Sequence, residues 1–504
     1  MIELTPEELQ AFGEHIVEFI SRYSASLGDL PVFPAGASPV RLRRLLDEPL
    51  PDEPQGVEAA FADFLDKIVP YSARVGHPRF LGWIRPSPLG AAAYAEALAA
   101  VLNQSVAVWE GAPAATEVEL RVIEWLKQIT GFSPGSGGIL TSGGSMANFV
   151  CLLAARSAAD PQARELGLSG RAPLALYLTE ETHYCIPKAA EMMGLGRRSL
   201  RLAPLDRKLR MDPAALRAMI RADRAQGFIP MAVAATLGTV NSGACDDLLA
   251  LLEVCREEGV WLHVDGAYGG TAGLVPEKRL LTAGLEQVDS LAFDPHKSLF
   301  IPFEAGCALV QDPAHLLSAF GMEAGYLPNS NLEEAWPFPA PPEPDTAGPF
   351  HFRDYGPQLS RSFRALKIYL ALKAYGVKPL AGEIARQYRL ASGLAARIQE
   401  APDFELLAPV TLGIVAFRYL GEGGAAESRL DELNTCLARE TQRRGRVFLA
   451  GTRLQGRAAL RVCFVSFRTR EEDLDLILEE VRAAARALPR NTPASMPGPE
   501  RGAC

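Results

Sequence analysis

A lysine in an apolar setting is the first residue of this sequence whose type and position could do chemistry. In the segment SLAFDPHKSLFIPFEAG, residues 290–306, Lys297 follows an apolar run and a short polar cluster, and apolar residues then resume. Burial of an ammonium ion among apolar side chains is costly, and such neighbours are expected to lower the pKa of the amine from about 10.4. Lys297 therefore either extends its amine to water or is a reactive nucleophile.

A carboxylate precedes this lysine by 32 residues, which is about the length of one helix and the strand after it. Asp265 ends the apolar stretch VWLHVDGA, residues 260–267, and small residues follow it. In a parallel sheet the two positions leave neighbouring strands at the same edge, so Asp265 and Lys297 are predicted to face one crevice. Asp265 is then either the cap of a turn or a carboxylate directed at a buried cationic nitrogen, with room for a flat ring beside Gly266 and Ala267.

A Gly/Ser turn supplies the third group. The segment GGILTSGGSMANFVCLLAAR, residues 137–156, predicts an apolar strand, a turn at Ser142, Gly143, Gly144 and Ser145, and a helix. Glycines let the backbone approach a ligand closely, and the free N–H groups at a helix start attract an anion such as phosphate. The turn matches neither GxGxxG nor a P-loop, so by itself it is equally compatible with an ordinary tight turn.

Taken together, the three groups match one cofactor. A phosphate-binding turn, a carboxylate for a ring nitrogen and a lysine that can form a Schiff base are the protein groups that pyridoxal 5′-phosphate (PLP) needs. Each signal is weak alone, but all three lie at predicted strand ends, where ligands of such sheets bind. The sequence therefore predicts a PLP site at the carboxyl edge of a sheet.

Alternating strands and helices are predicted to position these groups. Asp212 and Pro213 begin one helix, Asp246 or Asp247 caps the next, and Gly259 ends it. Apolar strands joined by such helices predict an α/β fold with a mostly parallel sheet. The predicted strands are LALYLT (174–179), MAVAATLG (231–238), VWLHVDGA (260–267) and SLAFD (290–294).

Changes in composition divide the chain of 504 residues into four segments. Residues 1–75 predict a helical N-terminal segment, residues 76–375 a large domain with the PLP site, and residues 376–488 a smaller α+β domain. Residues 489–504 are typical of a disordered tail. The Pro-rich stretch 321–357 carries no helix or strand pattern, and a loop this long is usually functional or mobile.

Charge and hydropathy exclude several classes of partner. The formal net charge is −9 and no Lys/Arg-rich run occurs, which argues against nucleic acid and anionic membranes. Apolar runs are far shorter than the roughly 20 residues of a membrane-spanning helix, and the acidic N-terminus is unlike a signal peptide. The eight cysteines show no CxxC pair and no metal-ligand spacing, so we expect reduced core thiols, no metal and a cytoplasmic location.

Over roughly residues 60–480 the sequence resembles the group II PLP-dependent amino-acid decarboxylases, the aromatic-L-amino-acid and glutamate decarboxylase family. The resemblance implies the fold type I, aspartate-aminotransferase-like scaffold, an amino-acid substrate and a homodimer with active sites at the subunit interface. Helical N-terminal segments such as IVEFISRY would then exchange between the two subunits. The matching segments are HPRFLGW, NQSVAVWEGAPAATEVE, TSGGSMANF, THYCIPKAA, ATLGTV, HVDGAYGG, DSLAFDPHKSLFIPFEAG and SRSFRALKIYLALKAYG.

The resemblance also implies roles for individual residues. Lys297 would form the Schiff base with PLP, Asp265 would keep the ring nitrogen protonated, and His183 would stack on the ring face. Tyr326 would deliver a proton to the substrate carbon, and Thr236 would lie near the ring hydroxyl and the substrate carboxylate. The other cofactor-binding residues that it implies are Ser142, Gly143, Gly144, Ser145, Ala267 and His296.

The substrate is less sharply indicated than the cofactor. The segment that matches the family's substrate pocket holds Trp83 and Ile84, which favour an aromatic ring, and Arg85, whose guanidinium suits a carboxylate or sulfinate. Ser360 either borders this pocket or caps the following helix. Tyr326 favours amine formation, whereas relatives with phenylalanine tend towards aldehydes. We expect an aromatic L-amino acid (tryptophan, tyrosine, phenylalanine or DOPA), with glutamate, aspartate or cysteine sulfinate, aldehyde formation, or a non-catalytic PLP-binding homodimer as alternatives.

Departures from the family pattern lie beside the predicted site. Gly266 stands where the family usually has alanine, and Ser298 where most relatives have tryptophan. Arg85 and Pro86 stand where aromatic and small residues are common. The residues assigned to the chemistry are nevertheless all present, which speaks against the non-catalytic alternative. They are Lys297, Asp265, His183 and Tyr326. The departures therefore bear on the choice of substrate.

Overall fold

The computed structural model describes residues 3–34, 36–322, 349–421 and 423–489. Tyr326, most of the Pro-rich stretch and all but the first residue of the predicted tail lie outside these residues. The helices are α1 Pro6–Ser26, α2 Pro39–Leu45, α3 Val57–Asp63, α4 Gly90–Leu102, α5 Pro113–Thr130, α6 Gly144–Ala159, α7 Ala163–Leu166, α8 Cys185–Met192, α9 Pro213–Ala225, α10 Leu248–Glu258, α11 Pro295–Ser298, α12 Ala314–Phe320, α13 Ala365–Tyr375, α14 Val377–Glu400, α15 Glu427–Arg444 and α16 Glu472–Ala487. The strands are β1 Gly137–Thr141, β2 Leu174–Leu178, β3 Leu200–Leu202, β4 Ile229–Thr236, β5 Trp261–Asp265, β6 Ser290–Phe293, β7 Gly306–Val310, β8 Phe404–Leu406, β9 Ile414–Tyr419, β10 Ala450–Leu454 and β11 Arg457–Cys463.

Seven strands form the sheet that carries the predicted site. Their order is β1-β7-β6-β5-β4-β2-β3. Neighbours from β6 to β3 run parallel, whereas β7 runs antiparallel to both β1 and β6. Every residue of β2 is buried, as expected of a parallel strand that is covered on both faces. The predicted α/β fold with a mostly parallel sheet is confirmed.

The helix signals in the sequence predict the observed ends of α9 and α10. Asp212 caps α9 by accepting the N–H groups of Ala214 and Ala215. Asp247, rather than Asp246, caps α10 through the N–H of Ala250. Asp246 instead accepts the N–H groups of two other segments, and burial raises its pKa to about 6. The sequence did not decide which of the two aspartates caps α10, because a carboxylate at either position meets the residue preference for a helix N-cap.

The connection from β5 to β6 differs from the expected helix. It consists of three 3₁₀ helices, Gly269–Leu274, Pro276–Thr282 and Leu285–Gln287. The predicted length of the connection was therefore right, but its local structure was not. The predicted strands themselves agree with β2, β4, β5 and β6 to within two residues at each end.

A second, antiparallel sheet lies in the C-terminal part of the chain, with the order β10-β11-β9-β8. Residues of α14, α15 and α16 share an apolar core with it. An earlier segment also joins this sheet: the N–H of Leu81 donates to the carbonyl of Phe448, and the N–H of Cys463 donates to the carbonyl of Leu81. The segment predicted to line the substrate pocket is thus tied to the second sheet.

Helix α1 contacts α3 through Phe12 and Phe19, whose rings pack edge-on against Phe61. Thr5 and Glu8 form a capping box at its start, so the helix is locally well specified. None of its residues is buried, and its apolar Leu9 and Val17 are 60% and 48% exposed. The N-terminal helical segment therefore presents an apolar surface that the described part of the chain covers only in part.

Three expectations from composition concern cysteines, membranes and metals. Six of the seven cysteines in the described residues are buried, in line with the expected core thiols. Among those residues, every helix is too short or too polar to cross a membrane. The same part of the chain contains no group of three His, Cys, Asp or Glu side chains that could hold a metal ion.

Candidate active site

The ends of β4, β5 and β6 border a cavity of about 340 Å³. Five separate segments of the chain meet there, together with Ile84 from the predicted substrate segment. The predicted cofactor residues that line the cavity are Ser142, Gly143, Gly144, Ser145, His183, Thr236, Asp265, Ala267, His296 and Lys297. The structure thus brings the whole predicted cofactor set together.

Strand register places Asp265 and Lys297 at one edge of the sheet. Thr236 pairs with Asp265 across β4 and β5, and Asp265 pairs with Ala292 across β5 and β6. Helix α11 follows β6 directly, and Lys297 is its third residue. Both side chains line the same cavity, as predicted.

The glycines of the Gly/Ser turn are required by close packing. A Cβ atom at Gly144 would lie 2.7 Å from Oδ2 of Asp294 and 3.2 Å from Cβ of Ala267. A Cβ atom at Gly143 would lie 3.0 Å from Cε1 of His296. Helix α6 begins at Gly144, so its free N–H groups lie at the cavity and favour an anionic group there. This turn fits a phosphate.

Asp265 is a buried carboxylate at the cavity. Its Oδ1 accepts the N–H of Ala267 at 3.1 Å, which fixes the orientation of the carboxylate. A buried carboxylate is stabilised by a cationic partner, so this group fits a ring nitrogen that must stay protonated. The glycine that follows also has a packing reason: a Cβ at Gly266 would lie 2.6 Å from Cδ1 of Leu291. The alanine usual in the family would require that leucine to move.

Lys297 is an ion-paired amine. Its Nζ lies 3.0 Å from Oδ2 of Asp294, and its side chain is 24% exposed. Burial alone would lower the pKa of Lys297, but the carboxylates of Asp294 and Asp265 outweigh it and raise this pKa. The expectation of a lowered pKa is therefore wrong. It considered the apolar neighbours of Lys297 and omitted Asp294.

Both histidines at the cavity are held in one tautomer. Nδ1 of His183 accepts the N–H of Cys185 at 3.3 Å, and Nδ1 of His296 accepts the N–H of Ala305 at 3.1 Å. Burial lowers the pKa of each ring. Each neutral ring therefore carries its proton on Nε2, which makes both side chains hydrogen-bond donors.

Comparison with known proteins decides the family. Residues 39–420 match the family model described as the pyridoxal-dependent decarboxylase conserved domain. The chain belongs to the pyridoxal-dependent decarboxylase family. It is a PLP-dependent carboxy-lyase, and its glycine turn, Asp265 and Lys297 fit this cofactor.

Relatives align along nearly the whole decarboxylase. An aromatic-L-amino-acid decarboxylase of Bacillus atrophaeus is 32% identical over 485 residues, which cover 96% of this chain and 97% of the relative. A tyrosine decarboxylase of Oryza sativa subsp. japonica is 34% identical over 456 residues, which cover 87% and 83%. The crystal structure of Oryza sativa TDC with PLP and tryptamine matches with a TM-score of 0.88 and 27% identity over 96% and 99% of the two chains. These matches confirm the fold type I scaffold.

The predicted substrate segment of the decarboxylase is directed only in part at the cavity. Of its three residues, Ile84 lines the cavity, whereas Trp83 and Arg85 are absent from the lining formed by the described residues. The ring of Trp83 packs edge-on against Phe448, with centroids 4.9 Å apart. The Arg85 guanidinium lies over the rings of Trp83 and Phe303, 4.7 and 5.9 Å from their centroids. Arg85 is therefore a cation held by aromatic faces.

Ser360 lies outside the cavity lining formed by the described residues, and it is exposed. The alternative that it caps the following helix is wrong, because α13 begins at Ala365 with Arg364 in the N-cap position and no side-chain cap. The remaining sequence interpretation is that it borders a substrate pocket. In the described part of the chain, Ser360 does not border the cavity described above.

A buried hydrogen-bond chain, missed from sequence, joins the turn to β5. Nδ2 of Asn148 donates to the carbonyl of Gly144 at 2.8 Å, and its Oδ1 lies 2.7 Å from Nε2 of His263. Nδ1 of His263 lies 2.9 Å from Oγ of Ser290, which accepts the indole N–H of Trp261. Ser290 thus donates to Nδ1, and Nε2–H donates to Asn148. Burial lowers the pKa of His263 to about 3, so the chain is neutral.

A buried ion pair holds β1, the strand that leads into the turn. Glu119 and Arg361 are almost completely inaccessible to solvent. Glu119 accepts the N–H of Leu140 at 3.1 Å, and Arg361 donates to the carbonyls of Leu140 and Val106. The pair therefore fixes the strand close to its last residue. Its partners lie more than 200 residues apart, so no local sequence signal connects them.

Arg461 is a further buried cation beside the cavity of the decarboxylase. It donates to the carbonyl of Val240 at 3.0 Å and to that of Gly82 at 2.9 Å. Val240 lines the cavity, and Gly82 directly precedes Trp83 of the predicted substrate segment. Among the described residues no carboxylate lies within ion-pair distance of this guanidinium. Arg461 thus ties Val240 and the chain next to the substrate segment to β11.

Proposed function

We propose that this decarboxylase converts an aromatic L-amino acid into its amine and CO₂. The names of two relatives support this substrate class, since they are 32% and 34% identical over most of the chain. The structural observation that carries the proposal is the position of Arg85, whose guanidinium is engaged by two aromatic rings while Ile84 lines the cavity. An acidic substrate needs a cation directed into the cavity, so this arrangement favours an apolar ring.

The residues of the cavity have the following roles in this proposal. PLP, when bound, withdraws electrons from the substrate α-carbon. Lys297 would anchor the cofactor covalently, Asp265 would keep its ring nitrogen protonated, and His183 would pack on the ring face. Thr236 and Ala267 would lie beside the ring. Ser142, Gly143, Gly144, Ser145 and His296 would hold the phosphate.

The proton that replaces the lost carboxylate comes from Tyr326. This assignment rests on the resemblance to the family, since Tyr326 lies outside the described residues. His183 assists as a hydrogen-bond donor, because its neutral ring offers Nε2–H at the cavity. Tyr326 acts as the general acid towards the α-carbon. Protonation at that atom, rather than oxidation, yields the amine.

The experiment is a panel of L-amino acids in which CO₂, amine and aldehyde are measured in parallel. We expect aromatic substrates to be turned over at least tenfold better, in kcat/KM, than glutamate, aspartate or cysteine sulfinate. An Arg85→Leu variant should keep the aromatic activity. Preference for an acidic substrate, with loss of that activity in Arg85→Leu, contradicts the proposal. Aldehyde as the main product contradicts amine formation.

We further propose that the enzyme is a homodimer and resides in the cytoplasm. The exposed apolar residues of α1 support the dimer, because an amphipathic helix needs a surface to cover it. Ser360 is exposed in its own subunit, and in the dimer it borders the neighbouring active site. Buried free thiols fit a reducing compartment. Sedimentation of the wild type and of a variant without residues 1–26 tests the dimer: the truncated chain should be a monomer without activity.

A further inference from the structure

Asp294 is a buried carboxylate at the cavity to which the reaction assigns no role. Its side chain is 2% exposed, and Oδ2 lies 3.0 Å from Nζ of Lys297 and 3.5 Å from Nε2 of His296. Its second oxygen, Oδ1, has no hydrogen-bond partner among the described residues. The same carboxylate touches the space beside Gly144, where α6 begins. Oδ2 therefore lies beside both the cofactor lysine and the start of α6, where the phosphate is predicted, while Oδ1 is unsatisfied.

None of the other described groups that face Lys297 supplies a positive charge that could offset the negative charge of Asp294. From β5, Asp265 adds a second negative charge. His183 and Cys185, near the start of α8, are neutral because burial lowers the pKa of the imidazole and raises the pKa of the thiol. His296 on α11 is neutral through its bond from Ala305. Lys297 is thus the one cation among the described residues that line the cavity, and two carboxylates face it.

A more distant cation is already engaged. Lys367 on α13 lies near enough to act on His296, but its amine is bound by Glu96. It therefore does not replace Lys297 as the partner of Asp294. The carboxylate that precedes the lysine in the chain is its closest charged neighbour.

We propose that Asp294 is a charge-holding residue for cofactor capture: its carboxylate keeps Lys297 as an ammonium ion until PLP arrives, and capture requires that this contact be released. The inference deepens the PLP assignment and rests on it. An ammonium ion has no lone pair, so it cannot attack an aldehyde. A phosphate at the start of α6 also meets the negative charge of Asp294. Asp294 therefore opposes capture in two ways.

The covalent step balances without a further reagent. The Lys297 ammonium first loses one proton to solvent. Its lone pair then forms a bond to the aldehyde carbon of PLP, and the two remaining amine hydrogens leave with the aldehyde oxygen as one water molecule. Removal of the Asp294 charge should therefore change the first of these events, the loss of the proton, and with it the pH dependence of capture.

The first test follows capture of PLP by the apoenzyme of the wild type and of Asp294→Asn, by stopped-flow absorbance between pH 7 and pH 11.5, because the pKa of Lys297 is raised from its ordinary value of about 10.4. We expect the midpoint of the pH–rate profile to move at least one pH unit lower in Asp294→Asn. The rate at pH 7 should rise about tenfold, since one unit of pKa changes the neutral fraction tenfold. Asp223→Asn, a buried carboxylate bound to Arg201 and Tyr177, is the matched control and should keep the wild-type profile.

A second readout does not depend on the cofactor. Trinitrobenzenesulfonate labels neutral amines, and its reaction with Lys297 in the apoenzyme can be followed by peptide mass spectrometry across the same pH range. The same shift is expected for Asp294→Asn and for Asp294→Ala, which serves if one variant folds poorly. Unchanged or higher midpoints in both readouts overturn the proposal. If labelling shifts but no protein captures PLP, the cofactor assignment falls and the role of Asp294 as a charge-holding residue stands.

Discussion

Asp265 lies opposite Ala292 in the parallel register of β5 and β6. The chain leaves β6 one residue later, and Lys297 follows within the first turn of α11. The carboxylate and the amine therefore reach the same cavity from neighbouring strands. This relationship sets what each group can do: the lysine is held next to carboxylates, and its reactivity depends on their charge.

Replacement of Asp265 by asparagine should abolish most of the activity and leave cofactor binding in place. Asparagine can still accept the N–H of Ala267 through its oxygen, so the local geometry is preserved. The negative charge that stabilises a protonated ring nitrogen is lost, and we expect kcat to fall at least 10²-fold. Steady-state kinetics together with the absorbance of bound PLP test this. Wild-type kcat in Asp265→Asn contradicts the assigned role.

Replacement of Tyr326 by phenylalanine should change the product. Without the phenol, protonation of the α-carbon loses its general acid, and amine formation should fall about 10²–10⁴-fold. The resemblance to the family implies that the aldehyde then appears, at the expense of dissolved oxygen. The measurement is the ratio of amine to aldehyde, with oxygen uptake recorded alongside. An unchanged ratio removes Tyr326 from the mechanism.

Replacement of Glu119 by glutamine should destabilise the protein. Arg361 then remains buried without its counter-ion, which costs about 3–5 kcal/mol of unfolding free energy. A neutral glutamine also accepts the N–H of Leu140 less strongly than the carboxylate does. β1 and the Gly/Ser turn after it are then held less firmly, so PLP should bind more weakly. The double variant Glu119→Gln, Arg361→Met should recover part of the loss, since no charge is then buried alone. Urea unfolding of the four proteins measures the coupling; strict additivity contradicts it.

His263 should make the enzyme sensitive to mild acid. Its pKa is about 3 in the folded protein and about 6.5 when unfolded, so its stabilising effect is present above pH 6.5 and is lost as pH falls. Between pH 7.5 and pH 5 this amounts to about 2 kcal/mol of unfolding free energy.

The variant His263→Gln isolates this contribution. Glutamine does not titrate, so the acid-induced loss of stability should be smaller in the variant by about 2 kcal/mol, while other histidines such as His77 titrate in both proteins. Urea unfolding at the two pH values, with PLP at equal concentration, measures the difference. Identical pH dependence of the two proteins shows that His263 is not the responsible group.

Much of the fold and of the candidate site was predictable from local patterns. The strands before Asp265 and Lys297 are short apolar runs with clear ends, and Asp212 and Gly259 carry helix signals that act within one turn. The Gly/Ser turn showed glycine where a close approach requires it. These features depend on neighbours in the chain, so a single sequence suffices to find them.

Other features depend on residues that are distant in the chain. By its residue type Arg85 suited the carboxylate or sulfinate of a substrate, whereas in the fold its guanidinium lies over the rings of Trp83 and Phe303. His263 reads as a core histidine until Asn148 and Ser290 are placed beside it. Packing across the fold selects these partners, and sequence spacing contains no record of them.

The charge state of Lys297 shows the difference most clearly. Its type, its apolar neighbours and its position after a strand are properties of the sequence, and they are enough to single it out as the cofactor lysine. The direction in which its pKa shifts cannot be read from the sequence, because burial lowers this pKa while two carboxylates raise it. Coulomb interactions vary with distance in space, and that distance is known only once β5, β6 and α11 have packed together.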